Sequence, residues 1–127
     1  MVIFGKENIM TIEECYRKMG ANYKDVFNRL PSVGMIEKFA LKFREDTSFQ
    51  DLESALNERH VETAFRAAHT LKGVCMNLGF DHLYVPSFKI TESLRAGNLD
   101  LGLQQFDAVK EQYIKTIEAL DEFAANN

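Results

Sequence analysis

Helical periodicity runs through almost the whole chain and constrains the fold more than any other feature. The sequence contains only two prolines, Pro31 and Pro86, and its glycines fall mainly between the periodic segments. Within those segments apolar residues recur three and four positions apart, which is the spacing of one face of an α-helix. No segment shows the alternation typical of a β-strand. The sequence therefore predicts an all-α fold, an antiparallel up-down four-helix bundle with additional short N-terminal helices.

Capping and breaking residues divide this pattern into separate helices. Thr11 stands three residues before Glu14, the spacing of a capping box, and Gly20 should end that first helix. Pro31 marks a break, and Pro86 should kink its helix or delay its start. The predicted helices span approximately 11–20, 23–30, 32–45, 49–58, 61–78, 81–96 and 101–124. Residues 1–10 are predicted to be an N-terminal tail, and residues 11–127 one helical domain.

Composition argues against several classes of function. The 127-residue chain has a formal net charge of −4 and no run of Lys or Arg, so a nucleic-acid partner is not expected. No apolar run approaches the roughly 18 residues of a membrane span, and no charged segment precedes the apolar start as it would in a signal peptide. Cys15 and Cys75 form neither a disulfide framework nor a zinc motif. We therefore expect a reducing, cytoplasmic setting and no membrane partner.

The predicted helix 61–78 has two distinct faces. Because successive residues lie about 100° apart around a helix axis, its apolar side chains collect on one stripe that must face the core. This stripe contains Val61, Ala64, Ala68, Leu71, Cys75 and Leu78. His69 points nearly away from the stripe. A single helical histidine is most often a surface residue without a role, so the neighbours of His69 decide its interpretation.

The residues on the same side as His69 predict a binding face. Gly73 follows one turn later, where glycine costs about 1 kcal/mol of helix stability relative to alanine but leaves space for another molecule. Lys72 can direct its ammonium toward a group carried by the imidazole. Phe65 and Met76 are large apolar residues that could dock a partner. Since a neutral imidazole is a competent nucleophile, this open face favours group transfer between proteins over catalysis on a small molecule.

The other candidate side chains are predicted to have structural or incidental roles. His60 lies in a turn, His82 lies at a helix start, and Cys75 belongs to the core stripe. No Glu stands three positions before any of the three histidines, so the Glu-x-x-His pairs of dimetal bundles are absent and no metal or cofactor is predicted. Arg66 could add positive charge to the docking surface, although a solvated charge is its simpler role.

The segment Ala68-His69-Thr70-Leu71-Lys72-Gly73, continued by Asn77-Leu78-Gly79, resembles the signature of histidine-containing phosphotransfer (HPt) domains of two-component phosphorelays. The resemblance extends over most of the chain and implies a four-helix bundle. It further implies that His69 accepts a phosphoryl group from the aspartyl phosphate of a receiver domain, with Lys72 as charge partner and Gly73 providing clearance. The acidic pocket and its Mg²⁺ would belong to the receiver, so the chain itself would be a phosphocarrier and not an enzyme.

Two positions depart from the common pattern of that family. Met76 stands where relatives often have a small residue. Thr91 stands near the position of a glutamine that hydrogen-bonds the imidazole in many relatives, so Thr91 is the candidate support for His69.

Three functions are compatible with these features. The favoured one is a monomeric phosphorelay carrier whose partners are receiver domains of response regulators or hybrid histidine kinases. The second is a receiver-binding module of the same fold that does not transfer phosphate. The third is an unrelated helical adaptor.

Overall fold

The computed structural model of the protein describes residues 9–127, which form seven α-helices and one 3₁₀ turn. The helices are α1 (Ile12–Met19), α2 (Tyr23–Arg29), α3 (Val33–Lys42), α4 (Ser48–Asn57), α5 (Val61–Leu78), α6 (Asp81–Arg95) and α7 (Leu99–Ala125), and the 3₁₀ turn Phe43–Glu45 follows α3. This part of the chain contains no β-strand, which confirms the predicted all-α class. Of the predicted N-terminal tail, residues 1–8 lie outside the described residues. None of the helices between residues 9 and 127 has the length and apolar character needed to cross a membrane.

Local capping explains where the helices begin and end. Thr11 Oγ1 accepts a hydrogen bond from the Glu14 N–H at 3.0 Å, and the Glu14 carboxylate accepts one from the Thr11 N–H at 2.8 Å, which completes the predicted capping box. Gly20 and Gly79 end α1 and α5 in the left-handed conformation. Three further helices begin after a residue whose side-chain oxygen accepts a backbone N–H, namely Asn22, Ser32 and Asn98.

Contacts across the helix interfaces show that α4, α5, α6 and α7 form the predicted antiparallel bundle. Between α4 and α7, Gln50 donates to Tyr113 and Lys110 pairs with Glu53, so residue numbers rise along one helix as they fall along the other. Connections of two or three residues join α4 to α5, α5 to α6 and α6 to α7, which is how sequential helices become antiparallel neighbours.

The short helices α1 and α2 tie down the end of α5. Tyr16 of α1 is fully buried and donates its hydroxyl to the Leu78 carbonyl at 2.8 Å. The Asn22 N–H donates to the Gly79 carbonyl at 2.7 Å. A Cβ on Gly79 would lie 2.6 Å from the Asn22 carbonyl oxygen, so this close approach of two backbone segments requires glycine. The N-terminal helices thereby fix the C-terminal end of the helix that carries His69.

The buried side of α5 is broader than the predicted stripe. Most of the stripe is buried as expected, but Val61 is only half-buried because it stands in the first turn at the end of the bundle. Ala67, which the stripe did not include, is buried. The reason is that α5 packs against α4 on one flank and α6 on the other, so only its outer face is left to solvent.

Pro86 lies inside α6 without delaying its start, since the helix begins at Asp81. The predicted alternative, in which Pro86 delays the start of this helix, is therefore wrong. Because proline has no N–H, the His82 carbonyl four residues earlier receives no helical hydrogen bond from this position.

Candidate functional site

The imidazole of His69 lies on the exposed outer face of α5. The helix runs unbroken from Val61 to Leu78, so His69 stands in the middle of a rigid element. Its ring is stacked on that of Phe65, one turn earlier, with centroids 5.8 Å apart and planes 25° apart. Phe65 is itself packed against the core. The imidazole thus has one side on an aromatic ring and the other open to an approaching molecule.

Open space adjoins His69 at Gly73. A Cβ added to Gly73 would meet no heavy atom within 4 Å. Packing within the described chain therefore does not require glycine here, whereas alanine would stabilise the helix by about 1 kcal/mol. The clearance faces outward, where only another molecule could use it.

The neighbouring helix α6 supplies two groups near His69, the aromatic ring of Phe88 toward one end of α5 and the cation of Arg95 toward the other. Lys72 Nζ lies 5.8 Å from the centroid of the Phe88 ring, and Arg95 Cζ lies 4.8 Å from the centroid of the Phe65 ring. These two pairs show that residue numbers fall along α6 as they rise along α5. Arg95 Nε also lies 3.3 Å from the Glu92 carboxylate.

Sequence reasoning did not single out Phe88 and Arg95. Both are distant from His69 along the chain and belong to no short motif. The signal that could have found them is the antiparallel hairpin around Gly79, which sets positions 65 and 72 of α5 beside positions 95 and 88 of α6.

Thr91, the expected support for His69, makes no hydrogen bond to the imidazole. It is fully buried, and its hydroxyl donates to the Ser87 carbonyl at 2.6 Å within α6. Threonine in a helix commonly makes this bond to the carbonyl four residues earlier. In the part of the chain that the structure describes, the His69 imidazole has no hydrogen bond.

Arg66 lies on a different flank of α5 from Lys72. Its guanidinium pairs with the Glu62 carboxylate one turn earlier, and it lines a shallow depression together with Asp51 of α4. Arg66 therefore adds charge to the side of α5 that faces α4, whereas Lys72 and Arg95 lie on the side of α6.

Exposed apolar side chains accompany the histidine. Met76 is 48% exposed and Phe88 is 43% exposed. Phe88 stacks on Tyr84, with centroids 6.1 Å apart. We call the outer surface of α5 and α6 the docking face and define it by Phe65, His69, Lys72, Gly73, Met76, Tyr84, Phe88 and Arg95. Aromatic residues, methionine and arginine are enriched where proteins bind proteins.

The other two histidines stand outside the docking face. His60 is exposed just before α5, with Nδ1 3.5 Å from the Glu58 carboxylate. His82 is half-buried, and its Nε2 lies 2.6 Å from Thr116 Oγ1. Burial, together with the nearby Lys115 ammonium, lowers the pKa of His82 from 6.5 to about 4. The placement of His82 fits its structural interpretation, whereas the exposed His60 makes no side-chain capping bond to α5.

The cysteines do not form a second reactive site. Cys15 and Cys75 are both free and buried. Burial raises the pKa of the Cys15 thiol to about 11 and raises that of Cys75 as well, so neither is a thiolate near neutral pH. Between residues 9 and 127, no three His, Cys, Asp or Glu side chains are grouped so that they could hold a metal ion.

A match to one protein family covers most of the chain. Residues 35–123 match the family described as Hpt domain, which is more than half of the 127 residues. The chain therefore belongs to the Hpt domain family, as the sequence resemblance predicted, and Hpt domains act as phosphocarriers in phosphorelays. The match includes all of α4, α5 and α6 and begins after α1 and α2. None of the curated proteins and none of the solved structures that were compared with the chain matches it.

Proposed function

We propose that the protein is a phosphorelay carrier in which His69 accepts a phosphoryl group from the aspartyl phosphate of one receiver domain and passes it to another. The observation that carries the proposal is an exposed imidazole next to open space at Gly73 on an Hpt bundle. A receiver must bring its phosphorylated aspartate to within bonding distance of the imidazole, and this requires an unobstructed approach.

The proposed transfer exchanges one bond to phosphorus for another. The lone pair of an unprotonated imidazole nitrogen of His69 attacks the phosphorus of the aspartyl phosphate. An N–P bond forms while the P–O bond to the aspartyl group breaks, and the receiver's aspartate leaves as a carboxylate. Transfer to a second receiver reverses this exchange on a different aspartate. The Mg²⁺ that assists it belongs to the receiver.

Lys72 is the proposed charge partner of the phosphoryl group. Its ammonium rests over the Phe88 ring at 5.8 Å, a contact worth about 0.5–1 kcal/mol at an exposed site. A hydrogen bond from the ammonium to a charged phosphoryl oxygen is worth about 1.5–3 kcal/mol. The phosphoryl group would therefore draw Lys72 away from the ring. Arg95 contacts both the Phe65 ring and the Glu92 carboxylate.

Transfer to His69 is tested with a receiver that carries labelled phosphate on its aspartate. The wild-type chain should acquire acid-labile label, since N–P bonds to histidine hydrolyse in acid. His69→Ala should acquire none, and His60→Ala should be labelled like the wild type. His60 is a matched control because it is an exposed histidine at the start of the same helix and makes no side-chain capping bond.

Two outcomes contradict the carrier proposal. One is label that persists in His69→Ala, and the other is the absence of label with every receiver tried. Receiver binding without label would support the second function, a binding module of the same fold. The exposed side chain of Met76 is the observation that favours this alternative, because a long thioether about two turns after His69 on the same helix can narrow the approach. Because the chain belongs to the Hpt domain family, the third function, an unrelated helical adaptor, is wrong.

A further inference from the structure

The His69 imidazole lacks the kind of partner that commonly holds a reactive histidine. No hydrogen bond reaches it from residues 9–127, and Thr91, the expected partner, donates its hydroxyl to the Ser87 carbonyl. An exposed side chain without such a partner changes rotamer within picoseconds to nanoseconds. Each change redirects the nitrogen lone pairs, so a docked receiver would meet the reactive nitrogen only part of the time.

The ring of Phe65 limits this motion. It lies one turn before His69, with the two ring planes 25° apart and their centroids 5.8 Å apart. Aromatic neighbours at this helical spacing favour the orientations that keep the rings in contact. Phe65 is partly buried and packed against the core, so it offers the imidazole a fixed surface.

Arg95 holds the ring of Phe65 from the neighbouring helix. Its Cζ lies 4.8 Å from the ring centroid, closer than Lys72 Nζ lies to the ring of Phe88. Its Nε is also paired with Glu92 at 3.3 Å on α6. Contacts therefore run without interruption from α6 through Arg95 and Phe65 to the imidazole.

We infer that Phe65 is a positioning residue, that its ring orients the His69 imidazole toward a docked receiver, and that Arg95 holds the ring in place. The inference rests on the proposed function, because His69 must be the transfer site. A stacked contact differs from a hydrogen bond in one chemical respect. A hydrogen bond occupies one imidazole nitrogen, whereas the stack leaves both nitrogens free.

The stack is measured by NMR independently of any transfer. The wild type should show nuclear Overhauser effects between the two rings and ring-current shifts of the His69 imidazole protons, and both should vanish in Phe65→Leu. Phe27→Leu is the matched control, since Phe27 is a 39% exposed helical phenylalanine outside the docking face. Unchanged imidazole shifts in Phe65→Leu would overturn the stack and with it the inference. A wild type that shows the stack but accepts no phosphate would overturn the proposed function and leave only the stack.

The positioning role is measured by single-turnover transfer from a phosphorylated receiver. Phe65→Leu should lower the maximal rate about tenfold and change the half-saturating receiver concentration less than about twofold. Phe65→Tyr keeps the ring and should restore the rate. A raised half-saturating concentration with an unchanged maximal rate would make Phe65 a docking contact and overturn the positioning role.

A small phosphodonor separates orientation from reactivity. Phosphoramidate can approach an exposed imidazole from many directions, so its reaction with His69 should differ less than about twofold between Phe65→Leu and the wild type. An equal loss with phosphoramidate and with the receiver would mean that the substitution damages the nucleophile or the fold, and would overturn the inference.

A double-mutant cycle tests the contribution of Arg95. If Arg95 acts through the ring, Arg95→Met should slow transfer by itself, and the double variant should be no slower than Phe65→Leu. Additive effects would show that Arg95 acts independently of the ring and would remove it from the positioning role.

Discussion

At the residue scale, Lys72 combines a proposed chemical role with a slight structural one. Its described contact is the face of the Phe88 ring. We expect Lys72→Ala to slow transfer to His69 about tenfold, because the phosphoryl group loses a charge-assisted hydrogen bond. The melting temperature should change by no more than about 2 °C, since an exposed cation–π contact is weak.

Single-turnover kinetics and thermal melting check this prediction side by side. Lys89→Ala is the matched control, because Lys89 is an exposed lysine of α6 on the flank that faces α7. A melting temperature lowered by many degrees with transfer unchanged would make Lys72 a structural residue.

Gly73 is the residue at which the proposed function and helix stability oppose each other. Gly73→Leu should reduce transfer at least tenfold, because its side chain would fill the space beside His69. The same substitution should stabilise the helix by up to about 1 kcal/mol, since leucine is the better helix former. Transfer assays and denaturant unfolding measure the two effects separately.

Gly34→Leu provides the comparison for Gly73→Leu. Gly34 is an exposed glycine inside α3, where an added Cβ would meet only Ser32 Oγ at 3.7 Å. It should gain stability without losing transfer. Transfer that survives in Gly73→Leu would remove the clearance role of this position.

At the scale of helices, the boundaries were predictable because capping is local. Thr11 and Glu14 act within one turn, and Gly79 ends α5 through its own backbone conformation. The outward direction of His69 was predictable for a similar reason, since rotation about a single helix axis decides it.

The pairing of α5 with α6 was not predictable in the same way. The short connection at Gly79 limits which residues of α6 lie near His69, but the final register and the direction of each side chain depend on packing. Thr91 illustrates the difference, because it lies on the neighbouring helix but turns its hydroxyl to Ser87. Arg95 illustrates the opposite case, a residue without any motif that packing brings to the ring beside the histidine.

At the scale of the whole molecule, His82 couples stability to pH. It lies where α1, α6 and α7 meet, with its Cβ 3.4 Å from the position of a Cβ on Gly20 and its Nε2 2.6 Å from Thr116 Oγ1. Burial, and secondarily Lys115, lowers its pKa in the folded chain from 6.5 to about 4. Between these values the unfolded chain binds the proton more readily than the folded chain, so acid favours unfolding.

We therefore expect the free energy of unfolding to be highest above pH 6.5 and to fall as the pH decreases toward 4. The contribution of His82 between pH 7.5 and 5.5 should be about 1 kcal/mol. Urea unfolding at the two pH values measures this contribution. The free energy of unfolding of His82→Gln should depend less on pH than that of the wild type. His60→Gln is the reference variant. An equal pH dependence of stability in His82→Gln and in His60→Gln would refute the assignment of this dependence to His82.

The whole molecule also extends beyond the segment that matches the family. The match begins at residue 35, whereas Tyr16 and Asn22 bind the backbone at the end of α5. The N-terminal helices therefore belong to the folded unit that supports the docking face.

The open surroundings of His69 bear on the lifetime of a phosphohistidine formed there. A phosphoryl group on this imidazole would stand in bulk water, and residues 9–127 place no hydrogen-bonding group on the ring that could activate a water molecule against it. The lifetime of the phosphohistidine would then be set by the uncatalysed hydrolysis of the N–P bond. A signal that no receiver collects would decay through that hydrolysis, and the proposed contact of the Lys72 ammonium with the phosphoryl group would be the protein's influence on its rate.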